Sequence, residues 1–235
     1  APSFGIPRIP EEMEAELRDY LAADAQQVIH RGDHYSLAVK AGHNEEPHNH
    51  NDVGSFILAT DKGQVFCDLG SGRYTRQYFE RPGRYEILCN RSMGHSVPIV
   101  NGMEQPEGEQ YCGTIARSGD TVTVEMANAY PAGCIETLTR RINALENGIR
   151  LTDSFSAFES LTERFIALSE PAVYADRIEV DGVTLRFDAA CAVPTVTVEQ
   201  HELHEGNLRY AFIPVYCIDF AVAPGTERAE FLFEV

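Results

Sequence analysis

The residues best suited to chemistry are concentrated in Gly42-His43-Asn44-Glu45-Glu46-Pro47-His48-Asn49-His50-Asn51-Asp52-Val53-Gly54-Ser55-Phe56, where three of the chain's eight histidines fall within eight residues. A run of His, Asn and Asp has little to bury and much to coordinate. An i, i+2 spacing puts His48 and His50 on one side if the backbone is extended. That is the pattern of a metal-ligand or active-site segment, and the competing reading is a solvated polar loop. A metal needs at least a third ligand. Asp68 ends the run Val65-Phe66-Cys67 just before Leu69-Gly70-Ser71-Gly72, where a strand opens into a glycine-rich turn. Pairing across residues 61–63 sets Asp68 opposite about Phe56, so a straight strand would carry His50 roughly 20 Å away, at ~3.3 Å per residue. The chain must therefore turn back, and Asn51-Asp52 and Gly54 permit it. His95, in Met93-Gly94-His95-Ser96-Val97-Pro98, is the other isolated histidine in polar, glycine-containing sequence. His50, Asp68 and His95 would make a two-nitrogen, one-oxygen set that zinc accepts readily.

Other residues carry less weight. His43 reads as a loop histidine that hydrogen-bonds locally, or one that helps to line the site. Tyr74, Tyr78 and Tyr85 follow Asp68 closely and could contact a ligand, although tyrosines in such strands usually pack. His201 and His204, in Glu199-Gln200-His201-Glu202-Leu203-His204-Glu205, read as solvated histidines, since nothing in the sequence converges on them.

The elements that must position these residues are nearly all strands. Residues 10–25 make the one good helix: Pro10 suits its first turn, Glu11, Glu12 and Glu14 favour its N-terminal dipole, and Met13, Leu17, Tyr20 and Leu21 recur at helical spacing. Beyond it, Tyr35–Val39 reads as a short strand, and Ser55–Ala59 and Gln64–Cys67 flank the hairpin signal Thr60-Asp61-Lys62-Gly63. Asn147-Gly148 separates Thr137–Leu145 from an alternating run that ends at Phe155, and Asp181-Gly182 repeats the device between Ile178/Val180 and Val183/Leu185/Phe187. With Thr121–Met126, Arg164–Leu168, Thr195–Glu199, Tyr210–Phe220 and Ala229–Val235, about a dozen strands result. The expected fold class is all-β: a large antiparallel β-sandwich over 31–235, entered through a helical lead-in over 1–30.

Three ordered blocks then become specific together. They are His48-Asn49-His50-Asn51-Asp52-Val53-Gly54-Ser55-Phe56, Asp68-Leu69-Gly70-Ser71-Gly72-Arg73-Tyr74-Thr75 and His95-Ser96-Val97-Pro98-Ile99-Val100-Asn101-Gly102. With Ala129-Tyr130-Pro131-Ala132, Leu138-Thr139-Arg140-Arg141-Ile142 and Leu151-Thr152-Asp153, they resemble the β-sandwich portion of the heparinase II/III-like polysaccharide lyases, in detail over about residues 35–155 and weakly to the end. The resemblance implies a supersandwich-like fold packed against an N-terminal α/α toroid, with a sugar cleft between the two. It implies that His50, Asp68 and His95 hold zinc and that His48 faces the substrate as the catalytic histidine. Such lyases take further catalytic groups from the toroid, and a single helix cannot build one. The sequence thus looks like the C-terminal part of a longer bacterial lyase, nearly inactive by itself.

The implied reaction is β-elimination on a uronate-containing polysaccharide or oligosaccharide. A base removes the proton at C5, beside a carboxylate, and the C4 oxygen leaves. Histidine suits that exchange because both its protonation states are accessible near neutral pH. Zinc two residues away would clamp His50 so that His48 enters the cleft, though three protein ligands with an open position also describe a catalytic zinc. Two other readings compete. One is a non-catalytic carbohydrate-binding or structural sandwich whose zinc braces a loop. The other is a cupin-like oxygenase, for which Asp52 stands where a Glu is expected and the blocks at Asp68 and His95 do not match.

Composition limits the partners. The net charge of −17 and the presence of only two lysines, Lys40 and Lys62, disfavour nucleic acid and anionic membranes. Residues 1–72 carry −7 and residues 92–235 carry −13, whereas residues 73–91, with Arg73, Arg76, Arg81, Arg84 and Arg91, carry +3. This basic island lies between Asp68 and His95. Its arginines form structural ion pairs or hold an acidic sugar, with Arg73, Tyr74, Arg84 and His43 the candidate contacts. The six cysteines sit singly and read as free, mostly buried thiols, which leans towards a reducing compartment, although a periplasmic protein would look the same. The sequence leaves room for a homodimer.

Overall fold

The computed structural model describes residues 19–188, 190–204 and 209–235. Alternating burial along short segments separated by Gly, Asn and Asp turns produces three antiparallel sheets. The first contains β1 (Asp19–Ala22), β2 (Gln27–Arg31), β3 (Ser36–Lys40), β5 (Phe56–Thr60) and β6 (Gly63–Phe66), adjacent in that order. The largest, nine-stranded sheet takes β4 (Gly42–Asn44) as one edge. It continues through β8 (Gly108–Ser118), β9 (Thr121–Glu125), β10 (Leu138–Leu145), β11 (Gly148–Phe155), β18 (Arg228–Glu234), β15 (Val183–Phe187) and β14 (Arg177–Val180) to β13 (Ala172–Val173). The third orders β16 (Thr195–His204), β17 (Tyr210–Ala221), β12 (Leu161–Ala167) and β7 (Ile99–Val100).

One apolar core joins all three sheets. Phe56 and Phe66 from the first sheet, Phe165 and Phe220 from the third, and Phe231 and Phe233 from the nine-stranded sheet are buried together, with edge-to-face rings such as Phe66–Phe233 at 4.9 Å. The first and third sheets meet side by side where Cys67 N–H donates to the Ile166 carbonyl at 3.0 Å. This joint lies one residue before Asp68.

The anticipated hairpins form. Asn147-Gly148 joins β10 to β11 with Leu145 opposite Gly148. Gly148 has φ 134°, and a Cβ there would lie 1.9 Å from the Phe233 carbonyl oxygen, so both conformation and space require glycine. Asp181-Gly182 joins β14 to β15 with both residues at positive φ. Leu58 pairs with Phe66, which sets Asp68 at the level of Phe56 as the hairpin arithmetic requires.

The expected helix over 10–25 is corrected in its second half: Asp19–Ala22 is strand β1, paired with Gln27–His30. Residues 10–18 lie outside the described residues. Hairpin pairing overrides the helical spacing, and Asp19 is held by His30 and Arg117, each at 2.7 Å. All six cysteines are free; Cys67, Cys89, Cys191 and Cys217 are buried, and Cys112 and Cys134 are half-buried. Among the described residues no helix is long and apolar enough to cross a membrane.

Candidate metal centre

Three separate loops bring His50, Asp68 and His95 together, with one potential ligand atom from each lying within 4.8 Å of the others. His50 precedes a reversal of the chain. Ser55 N–H donates to the Asp52 carbonyl at 2.9 Å, and Gly54, at φ 89°, donates to the Lys40 carbonyl at 2.8 Å. The Asp52 carboxylate takes Lys40 Nζ at 2.5 Å and Ser55 Oγ at 3.2 Å, which pins the turn to β3. The reversal demanded by strand length is thus built from Asp52 and Gly54. Asp68 leaves β6, and its Oδ1 accepts from Gly70 N–H at 2.7 Å, freeing Oδ2 to face both histidines. His95 follows three short 3-10 turns, Gly83–Glu86, Leu88–Asn90 and Ser92–Gly94.

Ring orientation fits a metal. His95 Nε2 lies 2.9 Å from the Cys89 carbonyl, which can only accept, so Nε2 carries the hydrogen and Nδ1 is left for a ligand. His95 Nδ1 lies 3.3 Å and His50 Nδ1 4.0 Å from Asp68 Oδ2, with the two rings 5.1 Å apart between centroids. Burial would push the Asp68 carboxyl up, but hydrogen bonding to His95 and the charges of both histidines outweigh it and hold the carboxyl well below the usual range. Burial, reinforced by the neighbouring His95, lowers His50 to about 4. Burial also opposes protonation of His95, yet hydrogen bonding to Asp68 and the nearby Asp52 and Asp68 charges raise its pKa overall. Burial thus favours a neutral His50 imidazole, which stands beside an ionised Asp68 carboxylate, two donors that a cation could join with His95 Nδ1.

A buried polar web fixes the loops. Asn51 N–H donates to the Asn90 carbonyl at 3.1 Å, and Ser92 Oγ donates to the Asn51 carbonyl at 2.8 Å. Gln105 spans Val53, accepting from its N–H at 2.9 Å and donating to its carbonyl at 2.8 Å. Tyr130 Oη donates to the Pro98 carbonyl at 2.5 Å. Asn90, Ser92 and Gln105 carry no signal in the sequence, because single Asn, Ser and Gln residues have no periodicity.

The remaining candidates take varied positions. His48 is exposed at φ 62°, at the end of a turn, so the backbone there is not the extended segment that would put His48 and His50 on one side. His43 Nδ1 accepts from Glu45 N–H at 3.2 Å, a local loop bond. Arg84 donates to the Tyr78 carbonyl at 3.4 Å and to that of Asn49, between the two histidines. Arg73 pairs with Glu202 at 3.2 Å and lies over the Tyr210 ring. Tyr74 is exposed and packs on His204 at 4.4 Å between centroids. Arg76, Arg81 and Arg91 are paired with Glu80, with Glu45 and Glu107, and with Glu104, so most of the basic island is ion-paired. His201 is corrected: it is 2% exposed on the inward side of β16, because the Gly72–Leu203 bridge folds the Asp68 loop over it.

A family model described as "Heparinase II/III-like, C-terminal" matches residues 17–209. Among curated proteins no match is found. The fold is similar to the heparinase III BT4657 gene product (TM-score 0.67, 15% identity, 92% of this chain and 36% of that one). It is also similar to heparan sulfate lyase HepC from Pedobacter heparinus (TM-score 0.68, 13% identity, 92% and 36%). The Streptomyces coelicolor A3 chondroitin AC lyase is more distant (TM-score 0.56, 6% identity, 92% and 32%). The chain thus spans about a third of the length of these solved structures. With the family model matching most of its length, the chain belongs to the heparinase II/III-like family, as the C-terminal domain of that type.

Proposed function

We propose that the chain is the metal-bearing half of a lyase cleft that cleaves uronate-containing glycans by β-elimination, the other half being an N-terminal α/α toroid of the same longer protein. The observation that carries this reading is the convergence of His50, Asp68 and His95 from three loops, two residues from an exposed histidine. Two of the structural relatives are named as heparan sulfate and chondroitin lyases, which supports a glycosaminoglycan-like or other uronate polymer as substrate.

In this proposal His50, Asp68 and His95 hold zinc, whose ligand preferences match two imidazoles and a carboxylate. Bound there, zinc supplies a fixed positive charge that clamps the loop. His95, at 1% exposure, belongs to a brace more than to a substrate-facing centre. His48, in solvent at the loop apex, exchanges protons with the sugar, and Arg84 holds the intervening Asn49 carbonyl so that the apex keeps its shape. Arg73 and Tyr74, exposed beyond the Asp68 loop, offer a guanidinium and an aromatic face to an acidic sugar.

The test replaces His48 by Ala in the complete lyase and follows ultraviolet absorbance of the new C=C bond on sulfated and unsulfated uronate polymers, together with zinc content. Turnover falls by at least about 100-fold with zinc retained, on the scale of a lost general acid–base group. Unchanged turnover would instead support a carbohydrate-binding sandwich with a braced loop. The 235-residue chain alone should show little turnover beside the complete lyase.

A further inference from the structure

Arg140 lies in β10 between Leu138 and Ile142, a charged residue on an inward face, with no exposed surface. Its Nε and Nη2 grip the Asp153 carboxylate across the β10–β11 pair, Nη2 reaching Oδ2 at 2.6 Å, and Nη2 also reaches Glu163 Oε2 at 3.2 Å. The remaining nitrogen, Nη1, leaves this cluster. It donates to the Gly54 carbonyl at 2.8 Å and to the Ser96 carbonyl at 2.7 Å. Gly54 closes the reversal that follows His50, and Ser96 adjoins His95. One buried guanidinium therefore joins the two histidine loops, which are otherwise far apart in the chain.

We infer that Arg140 is a positioning residue for the metal centre: anchored by Asp153, it holds the Gly54 and Ser96 carbonyls at a fixed separation and so sets the spacing of His50 and His95. The inference rests on the metal reading above. The physical reason lies in guanidinium geometry, five N–H donors fixed in one plane, two of which can point at two carbonyls while the rest hold a carboxylate. A lysine ammonium keeps the charge but carries three donors on one nitrogen, too few and too close together to hold Asp153, Glu163 and both carbonyls. Partners that orient a ligand without touching the metal commonly change affinity by about 10- to 100-fold.

The experiment compares Arg140→Lys with Glu163→Gln, which alters the same buried cluster but leaves both carbonyl bonds. Zinc affinity is read by chelator competition, the visible spectrum of the cobalt-loaded chain reports ligand geometry, and amide exchange of the metal-free chain is followed over 51–56 and 92–97. R140K is expected to weaken zinc binding at least about tenfold, to alter the cobalt spectrum and to speed exchange in both loops, while E163Q stays within twofold of wild type. Should R140K not fold, Arg140→Met with Asp153→Leu removes the ion pair together with the bridge, a change buried pairs often tolerate, and carries the same expectation. A wild-type chain that takes up no metal would sink the metal reading, and the exchange comparison would still decide on Arg140. Unchanged loop exchange in the Arg140 variants, or a zinc-binding wild type that holds the ion no more tightly than they do, would overturn the inference.

Discussion

Glu163 offers a decisive perturbation because it is wholly buried beside the Asp153 carboxylate. Burial, and next the Asp153 charge, raise its pKa well above the ordinary carboxyl value of 4.5, more than Arg140 lowers it. A raised pKa means that Glu163 holds its proton to higher pH in the folded chain than in the unfolded one. The associated stability is fully present below the unfolded value and is lost as pH rises towards the folded one. While that proton is held, the loss is about 1.4 kcal/mol for each pH unit above the ordinary carboxyl range. Glu163→Gln removes the titration but keeps an N–H donor for Asp153 and an oxygen for Arg140. Urea unfolding at several pH values above the ordinary carboxyl range should give a wild-type-minus-variant difference that becomes more negative as pH rises towards the folded value, with unchanged denaturant slope. Contributions from His50, Asp68 and His95 cancel in that difference. Parallel stability–pH curves for the two proteins would refute a protonated Glu163.

Further expectations follow from single contacts. Gly148→Ala should cost about 3 kcal/mol in unfolding free energy, since the left-handed φ and the Phe233 carbonyl both oppose a methyl group; a loss below about 1 kcal/mol would mean that the β11–β18 ladder yields easily. Tyr130→Phe leaves the Pro98 carbonyl without its hydroxyl donor and should cost about 1 to 2 kcal/mol, measured by thermal melting. Asp68→Asn withdraws the one carboxylate of the centre and should weaken zinc binding by at least about 100-fold in a chelator titration. Near-wild-type affinity would point to ligands other than these three.

Much of the architecture was readable because it depends on local signals. Asn147-Gly148 and Asp181-Gly182 permit few alternatives to a hairpin, and both form where expected. The pairing across residues 61–63 located Asp68 closely enough to require the reversal at Asp52–Gly54. Three features resisted such reading for different reasons. The long strand β8 (Gly108–Ser118) has few buried side chains, so its sequence lacks the alternation that marks a strand. Asp19–Ala22 carries helical spacing, and only its partner Gln27–His30 makes it a strand. His201 sits in acidic sequence that looks solvated, and its burial depends on a loop more than a hundred residues away. Arg140 did leave a trace, a charge at an inward position between Leu138 and Ile142, but the carbonyls it serves come from distant loops.

The separation of His50 from His95 along the chain has a consequence for folding as well as for the centre. An ion bound by both closes the intervening segment into a loop, which contains the β5–β6 hairpin and the whole basic island. In the chain-entropy description of a permanent cross-link, closing a loop of about this length withdraws about 4 kcal/mol of freedom from the unfolded chain. A domain with six free thiols and no disulfide would thereby gain the restraint that secreted proteins obtain from a disulfide, through a link set where the five-stranded and four-stranded sheets adjoin.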